Sequence, residues 1–126
     1  MTDHAENALV WCEIPVTDME KSVAFFNSVF GYTLTIDESG PNPMALIPSK
    51  DAMVVGGHLY PGKPNKDGQG ATPHFAVPDA LEDAMARVEP NGGTVRSPIV
   101  TIPPGRFVYV QDPDGNSIAL FEMAAR

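Results

Sequence analysis

The sequence predicts an α+β fold made of two βαβββ modules in tandem, whose curved mixed sheets enclose a cup. Three observations predict it. First, the chain resembles itself at an offset of 61 residues: Val16 falls on Val77, Asp18 on Asp79, Gly31 on Gly92, Thr33 on Thr94, Asp51 on Asp112 and Leu59 on Leu120. The matches fall where elements start and stop, which is where geometry is set. Second, each half sets a helical apolar repeat behind a short β-rich run. Third, PGKPNKDGQGAT parts the halves and is rich in Gly, Pro and Lys, as a flexible crossing is. One such unit cannot bury both its helix and the inner face of a curved sheet, whereas two side by side can. The expected boundaries are 8–60 for the first module, 61–72 for the linker and 73–123 for the second.

The elements follow in order. Residues 9–15 are rich in β-formers and read as a strand. Thr17, Asp18, Met19 and Glu20 fit a capping box, so a helix starts there. Met19, Val23, Phe26 and Phe30 recur at helical spacing as its buried face, and Gly31 closes it. Residues 32–37, 44–48 and 52–60 read as three strands parted by ESGPN and SKD turns. The second half repeats this order. Residues 73–77 form a strand, Asp79 caps a helix carrying Leu81, Met85 and Val88, and Asn91-Gly92-Gly93 ends it. Strands at 94–97, 107–111 and 116–122 complete the module, the last following the strong turn Asp112-Pro113-Asp114-Gly115.

Composition narrows the function classes. The chain has 126 residues, 43% of them apolar, enough for a core. Net charge is −8, with only eight Lys and Arg, and these are scattered. Nucleic acid and anionic membrane surfaces need clustered positive charge, so neither is an expected partner. Cys12 is the only cysteine, which excludes an intrachain disulfide and a cysteine-built zinc site. MTDHAENALV lacks the basic region and apolar run of a signal peptide, so the expected location is cytoplasmic.

EIPVTDMEKSVAFFNSVFG near the start and FVYVQDPDGNSIALFE near the end, with HFAV and NGG between them, resemble the vicinal oxygen chelate superfamily. Its members include glyoxalases, extradiol dioxygenases, fosfomycin-resistance enzymes and bleomycin-resistance proteins. The resemblance covers nearly the whole chain. It implies the fold strongly and the reaction weakly, because one fold hosts many chemistries. In the metal-dependent members, four positions line the cup: His or Gln on the first strand of each half, and Glu, His or Tyr on the last. Carried onto this sequence, motif matching gives Trp11 and His74 on the first strands, with His58 and Ala119 on the last. The offset of 61 supports the pairing of His58 with Ala119 but sets Glu13, not Trp11, against His74. Ala119 thus stands where a carboxylate is expected, and Trp11 where His or Gln is.

The resemblance leaves His58 and His74 as candidate metal ligands, short of the three protein ligands such an ion wants. The alternatives are an acid–base pair or half-buried structural histidines. Glu13, a carboxylate in the apolar run VWCEIPV, is a candidate catalytic base or third ligand. It stands two residues, about 6.6 Å at strand rise, beyond the usual ligand position. Its other reading is a structural glutamate bonded to a neighbouring strand or at a dimer seam. Trp11, Phe121, Ser117 and Arg106 are the expected substrate-binding residues. Trp11 either walls the cup or fills core, Phe121 and Ser117 share a face with Ala119, and Arg106 either pins a ligand anion or is solvated. The loop SPIVTIPPG before Arg106 is expected at the cup rim as a lid, and Gly56-Gly57 to make room for a ligand or a partner chain.

Two functions compete. One is a small-molecule binder with an apolar cup and a degenerate metal site. The other is a lyase, isomerase or dioxygenase using Zn, Ni, Mn or Fe on His58, His74 and Glu13. A metal-free isomerase with Glu13 or a histidine as base stands between them. A homodimer is the expected assembly, both from the resemblance and because open sheet edges need cover.

Overall fold

The computed structural model of the chain describes residue 9 and residues 11–48, 56–66 and 68–124. It is an α+β structure with two sheets. The first contains β1 (Trp11–Val16), β2 (Ala45–Ile47) and β3 (Gly56–Pro61) in the order β1-β3-β2. The second contains β4 (His74–Ala76), β5 (Thr94–Val95), β7 (Gly105–Gln111) and β8 (Ser117–Met123) in the order β4-β8-β7-β5, with β6 (Val100–Ile102) also paired to β7. Helix α1 (Met19–Phe30) follows β1, and α2 (Leu81–Ala86) follows β4. Among the described residues no helix is long and apolar enough to cross a membrane.

The internal repeat survives as strand pairing. In each module the first strand runs parallel to the last: Glu13 lies opposite His58 in one, and His74 opposite Ala119 in the other. Both pairs are related by the same offset of 61. Glu13, rather than Trp11, is therefore the counterpart of His74, and the motif match gives way to the register.

Local differences from the expected elements have physical causes. Asp18, not Thr17, caps α1, its carboxylate accepting from the Lys21 amide at 3.1 Å. Thr17 instead hydrogen-bonds Asp114. Gly31 closes the helix as expected, at φ 72°. The expected strand at 32–37 is reduced to a single bridge, Asp37 to Met44. The Asn27 side chain takes both backbone groups of Leu34, accepting from its amide at 2.7 Å and donating to its carbonyl at 3.3 Å, in place of ladder bonds. Asp79 does not cap α2, because it holds Arg87 in a two-pronged ion pair at 2.8 and 2.9 Å. The Glu122 carboxylate from β8 accepts from the Leu81 amide at 2.9 Å and does the capping instead. The expected rim loop SPIVTIPPG is shorter than expected, since its middle, Val100–Ile102, pairs with β7 as a hairpin strand. The start of the expected strand at 52–60 lies outside the described residues.

One apolar core joins the two modules. Phe25, Phe26 and Val29 of α1 pack with Leu81, Ala84 and Val88 of the second module and with Val108, Ile118 and Leu120 of its sheet. Strand alternation sends Ile118 and Leu120 toward the helices and Ser117, Ala119 and Phe121 to the opposite face. The turn after β7 ties the modules together. The Asn116 amide donates to the Pro15 carbonyl at 2.8 Å and to Asp112 Oδ2 at 2.9 Å, while Asp112 Oδ1 accepts from the amides of Asp114 and Asn116. Burial pushes the Asp112 carboxyl up, against these hydrogen bonds.

Candidate functional site

Three side chains on the helix-distal face of the first sheet meet. Trp11 and Glu13, two residues apart on β1, share that face, and His58 lies directly across from Glu13 on β3. Trp11 Nε1 donates to His58 Nδ1 at 3.0 Å, and His58 Nε2 stands 4.0 Å from Glu13 Oε2. The His58 side chain is mostly covered, at 14% exposure, whereas that of Glu13 is 62% exposed. Glu13 and His58 open onto a cavity of about 590 Å³ walled by Tyr60, Met44 and the 39–43 loop, with Asp37 at its margin. The bond from Ser39 holds the Asp37 carboxyl below its usual range.

This pairing fixes a proton. An indole N–H only donates, so His58 Nδ1 must be the acceptor nitrogen. The proton of the neutral ring then sits on Nε2, aimed toward Glu13 and the cavity. His74 is the reverse case. Its Nδ1 lies 3.0 Å from the Thr72 carbonyl, which only accepts, so Nδ1 carries the proton and Nε2 keeps its lone pair.

His74 belongs to a different neighbourhood. Its ring packs edge-on against Phe107 at 5.0 Å and Tyr109 at 6.1 Å, and tilted to Phe121 at 6.0 Å. Phe107 and Phe121 stack with 7° between their planes. His74 lines a recess of about 350 Å³ shared with Trp11 but not with His58 or Glu13. Ala119 is fully buried between its strand neighbours His74 and Tyr109.

The other expected residues divide. Phe121 joins His74. Ser117 lies on the same face, its hydroxyl paired with that of Thr72 at 2.5 Å. Arg106 does not reach either cavity. Alternation sets it with Val108 and Val110 on the helix side, where it donates to Glu122 at 2.7 Å and to both Glu82 oxygens at 2.8 and 2.9 Å. Gly57 makes room for the neighbouring strand, since a Cβ there would sit 2.2 Å from the Cys12 carbonyl oxygen, whereas Gly56 lines the recess shared by Trp11 and His74. Tyr60, Phe107 and Tyr109 were not among the expected site residues. Alternation finds all three, since Tyr60 is two residues beyond His58, and Phe107 and Tyr109 face away from Val108.

A metal ion fits these residues poorly within one chain. Among the described residues no three His, Cys, Asp or Glu side chains gather closely enough to hold one. The donor chemistry is also reversed at His58. A ligating histidine offers one ring nitrogen to the metal and donates from the other to an acceptor. Here the other nitrogen meets a donor.

The chain matches a family model of the Glyoxalase/Bleomycin resistance protein/Dioxygenase superfamily over residues 8–120. It is 28% identical over 116 residues to a lactoylglutathione lyase of Salmonella typhimurium, covering 85% of this chain and 86% of that one. A glyoxalase/bleomycin resistance protein from Albidiferax ferrireducens T118 shares the fold at a TM-score of 0.71 and 24% identity, over 94% of this chain and 100% of the other. TnmS3, an antibiotic binding protein from Streptomyces sp. CB03234, does so at 0.64 and 24%, over 97% and 100%.

Proposed function

Because the chain belongs to the Glyoxalase/Bleomycin resistance protein/Dioxygenase superfamily, we propose that it binds a small, largely apolar molecule at the Glu13–His58 cavity without a metal ion. The observation that carries this reading is the Trp11 to His58 hydrogen bond. It keeps the proton on Nε2, so His58 meets its ligand as a hydrogen-bond donor and not as a lone pair for a cation. Ala119, the register partner of His74, stands where metal-dependent relatives carry a donor atom and points the same way. The cavity volume of about 590 Å³ lies within the range of small-molecule sites. The structural likeness to an antibiotic binding protein is consistent with sequestration as the task.

The test is metal content and chelator response on protein purified without a metal-binding tag. The expected result is substoichiometric metal and no change in melting temperature with EDTA or with added Zn, Ni, Mn or Fe(II). One equivalent of metal whose removal lowers the melting temperature overturns the reading.

A metal-dependent lyase, isomerase or dioxygenase is the second reading. Two observations favour it: the lactoylglutathione lyase relative and the free Nε2 lone pair of His74. It requires His58, His74 and Glu13 to converge through a second copy of the chain. Exposed Trp11, Leu46 and Tyr109, at 43%, 52% and 40%, give such a copy an apolar face to cover. A homodimer in the cytoplasm is part of the proposal under either reading, and sedimentation equilibrium tests the assembly.

A further inference from the structure

The Glu13–His58 pair has a hydrogen-bonding polarity that narrows the ligand. His58 Nε2–H is a donor, held so by Trp11. Glu13 Oε2, 4.0 Å away, is an acceptor when ionised. That separation is too long for a hydrogen bond between them, so each is left facing the cavity. A ligand satisfying both presents an acceptor and a donor side by side. In an amide, oxygen and nitrogen are about 2.3 Å apart, by the standard bond lengths. Two hydrogen bonds of about 2.9 Å then reach from that edge to two atoms 4.0 Å apart, with a slight splay. Both groups face the same way only when the amide is primary or cis, as in a ring. A carboxylate offers Glu13 a second acceptor and is repelled, and an amine offers His58 no acceptor. The Tyr60 ring stands edge-on to His58 at 6.0 Å and makes an aromatic wall beside the pair.

We infer that this cavity selects a planar heterocycle with a lactam edge, its carbonyl accepting from His58 Nε2–H and its N–H donating to Glu13, with Trp11 as the residue that positions the His58 proton. The inference rests on the metal-free binding reading above. In it Trp11 is a positioning residue that acts through His58.

The test uses three probes on one bicyclic ring that differ by a single methyl group: 2-quinolone, which has the lactam edge; N-methyl-2-quinolone, which lacks the donor; and 2-methoxyquinoline, an isomer of the second, which lacks the donor and the carbonyl. Each is titrated by calorimetry and by fluorescence of Trp11, the only tryptophan. 2-Quinolone is expected to bind at least tenfold more tightly than the other two. Glu13→Ala should bring 2-quinolone and N-methyl-2-quinolone, which differ only in the donor that Glu13 reads, within twofold of one another. Trp11→Phe keeps an aromatic ring but frees Nδ1, and should cut the discrimination at least threefold at unchanged circular dichroism. Nitrogen-15 NMR should then show His58 as Nε2–H in the unsubstituted protein and as a tautomer mixture in Trp11→Phe, a change that loss of packing alone would not produce. Equal binding of the three probes overturns the lactam inference and leaves the binding reading standing. Failure of all three to bind, or a His58 found as Nδ1–H, also overturns it. Stoichiometric metal lost on His58→Ala overturns the inference and the binding reading together.

Discussion

Replacing Asn116 with alanine should cost this protein about 3 kcal/mol. The residue is 8% exposed, and its side-chain amide donates twice, to the Pro15 carbonyl at 2.8 Å and to Asp112 Oδ2 at 2.9 Å. A hydrogen bond between neutral groups contributes about 1 kcal/mol, and one to a charged group about 1.5–3 kcal/mol. Truncation removes both at once. It also leaves a carbonyl of β1 and a carboxylate oxygen that is already poorly solvated short of a donor, which keeps the loss toward the upper part of that range. Urea denaturation followed by far-UV circular dichroism measures it. With a slope of about 1.5 kcal/mol/M the midpoint should fall by about 2 M, and the slope itself should not change. Asn116→Asp keeps the shape but turns a donor into an acceptor facing Asp112, so at neutral pH it should lose at least as much. A loss under about 1 kcal/mol for Asn116→Ala would refute the reasoning, because water would then be replacing both bonds. Pro15 is two residues from Glu13 on β1, so the same variant should also weaken probe binding at the Glu13–His58 cavity.

The remaining predictions are simpler. Arg106 lies on the helix side of its sheet, so Arg106→Gln should leave probe affinity within twofold, as calorimetry can check. The same variant should alter acid stability. Arg106 holds the Glu82 carboxyl down to about 2, and a depressed carboxylate contributes stability that is present above its ordinary value of 4.5 and lost as pH falls toward about 2. Removing Arg106 should therefore flatten that part of the stability–pH curve measured by urea midpoints. His58→Ala should weaken 2-quinolone binding about tenfold, whereas His74→Ala should change it less than twofold, because His74 lines a different recess. Equal losses would mean that the two histidines share one site. Gly57→Ala should abolish soluble folded protein or cost more than about 3 kcal/mol, judged by expression and thermal melting, because its Cβ would meet the Cys12 carbonyl oxygen at 2.2 Å.

How far the site could be read in the sequence depends on which physical rule places each residue. The repeat and the helix ends were legible because they depend on local chemistry: Gly31 must supply a left-handed turn wherever α1 is packed. The face shared by Ser117, Ala119 and Phe121 was legible because alternation along one strand needs no partner. The same rule, counted along β7, sets Arg106 with Val108 and Val110, and so argues against a ligand role that its charge alone invites. Pairing across strands is a different matter. Whether Trp11 or Glu13 corresponds to His74 depends on the register of β1 against β3, and a slip of two residues keeps every side chain on its face. Alternation cannot detect such a slip; the repeat offset points to Glu13 where motif matching points to Trp11, and backbone pairing decides for the offset. The direction of the hydrogen bond between Trp11 and His58 is set later still, by two rings brought together from residues 11 and 58. An indole N–H can only donate, and this single constraint decides which nitrogen of His58 carries the proton. Trp11 is thus the residue that turns the nitrogen His58 presents to the cavity from a lone pair into an N–H, so one neighbour alters the chemistry of a histidine that the sequence leaves in place.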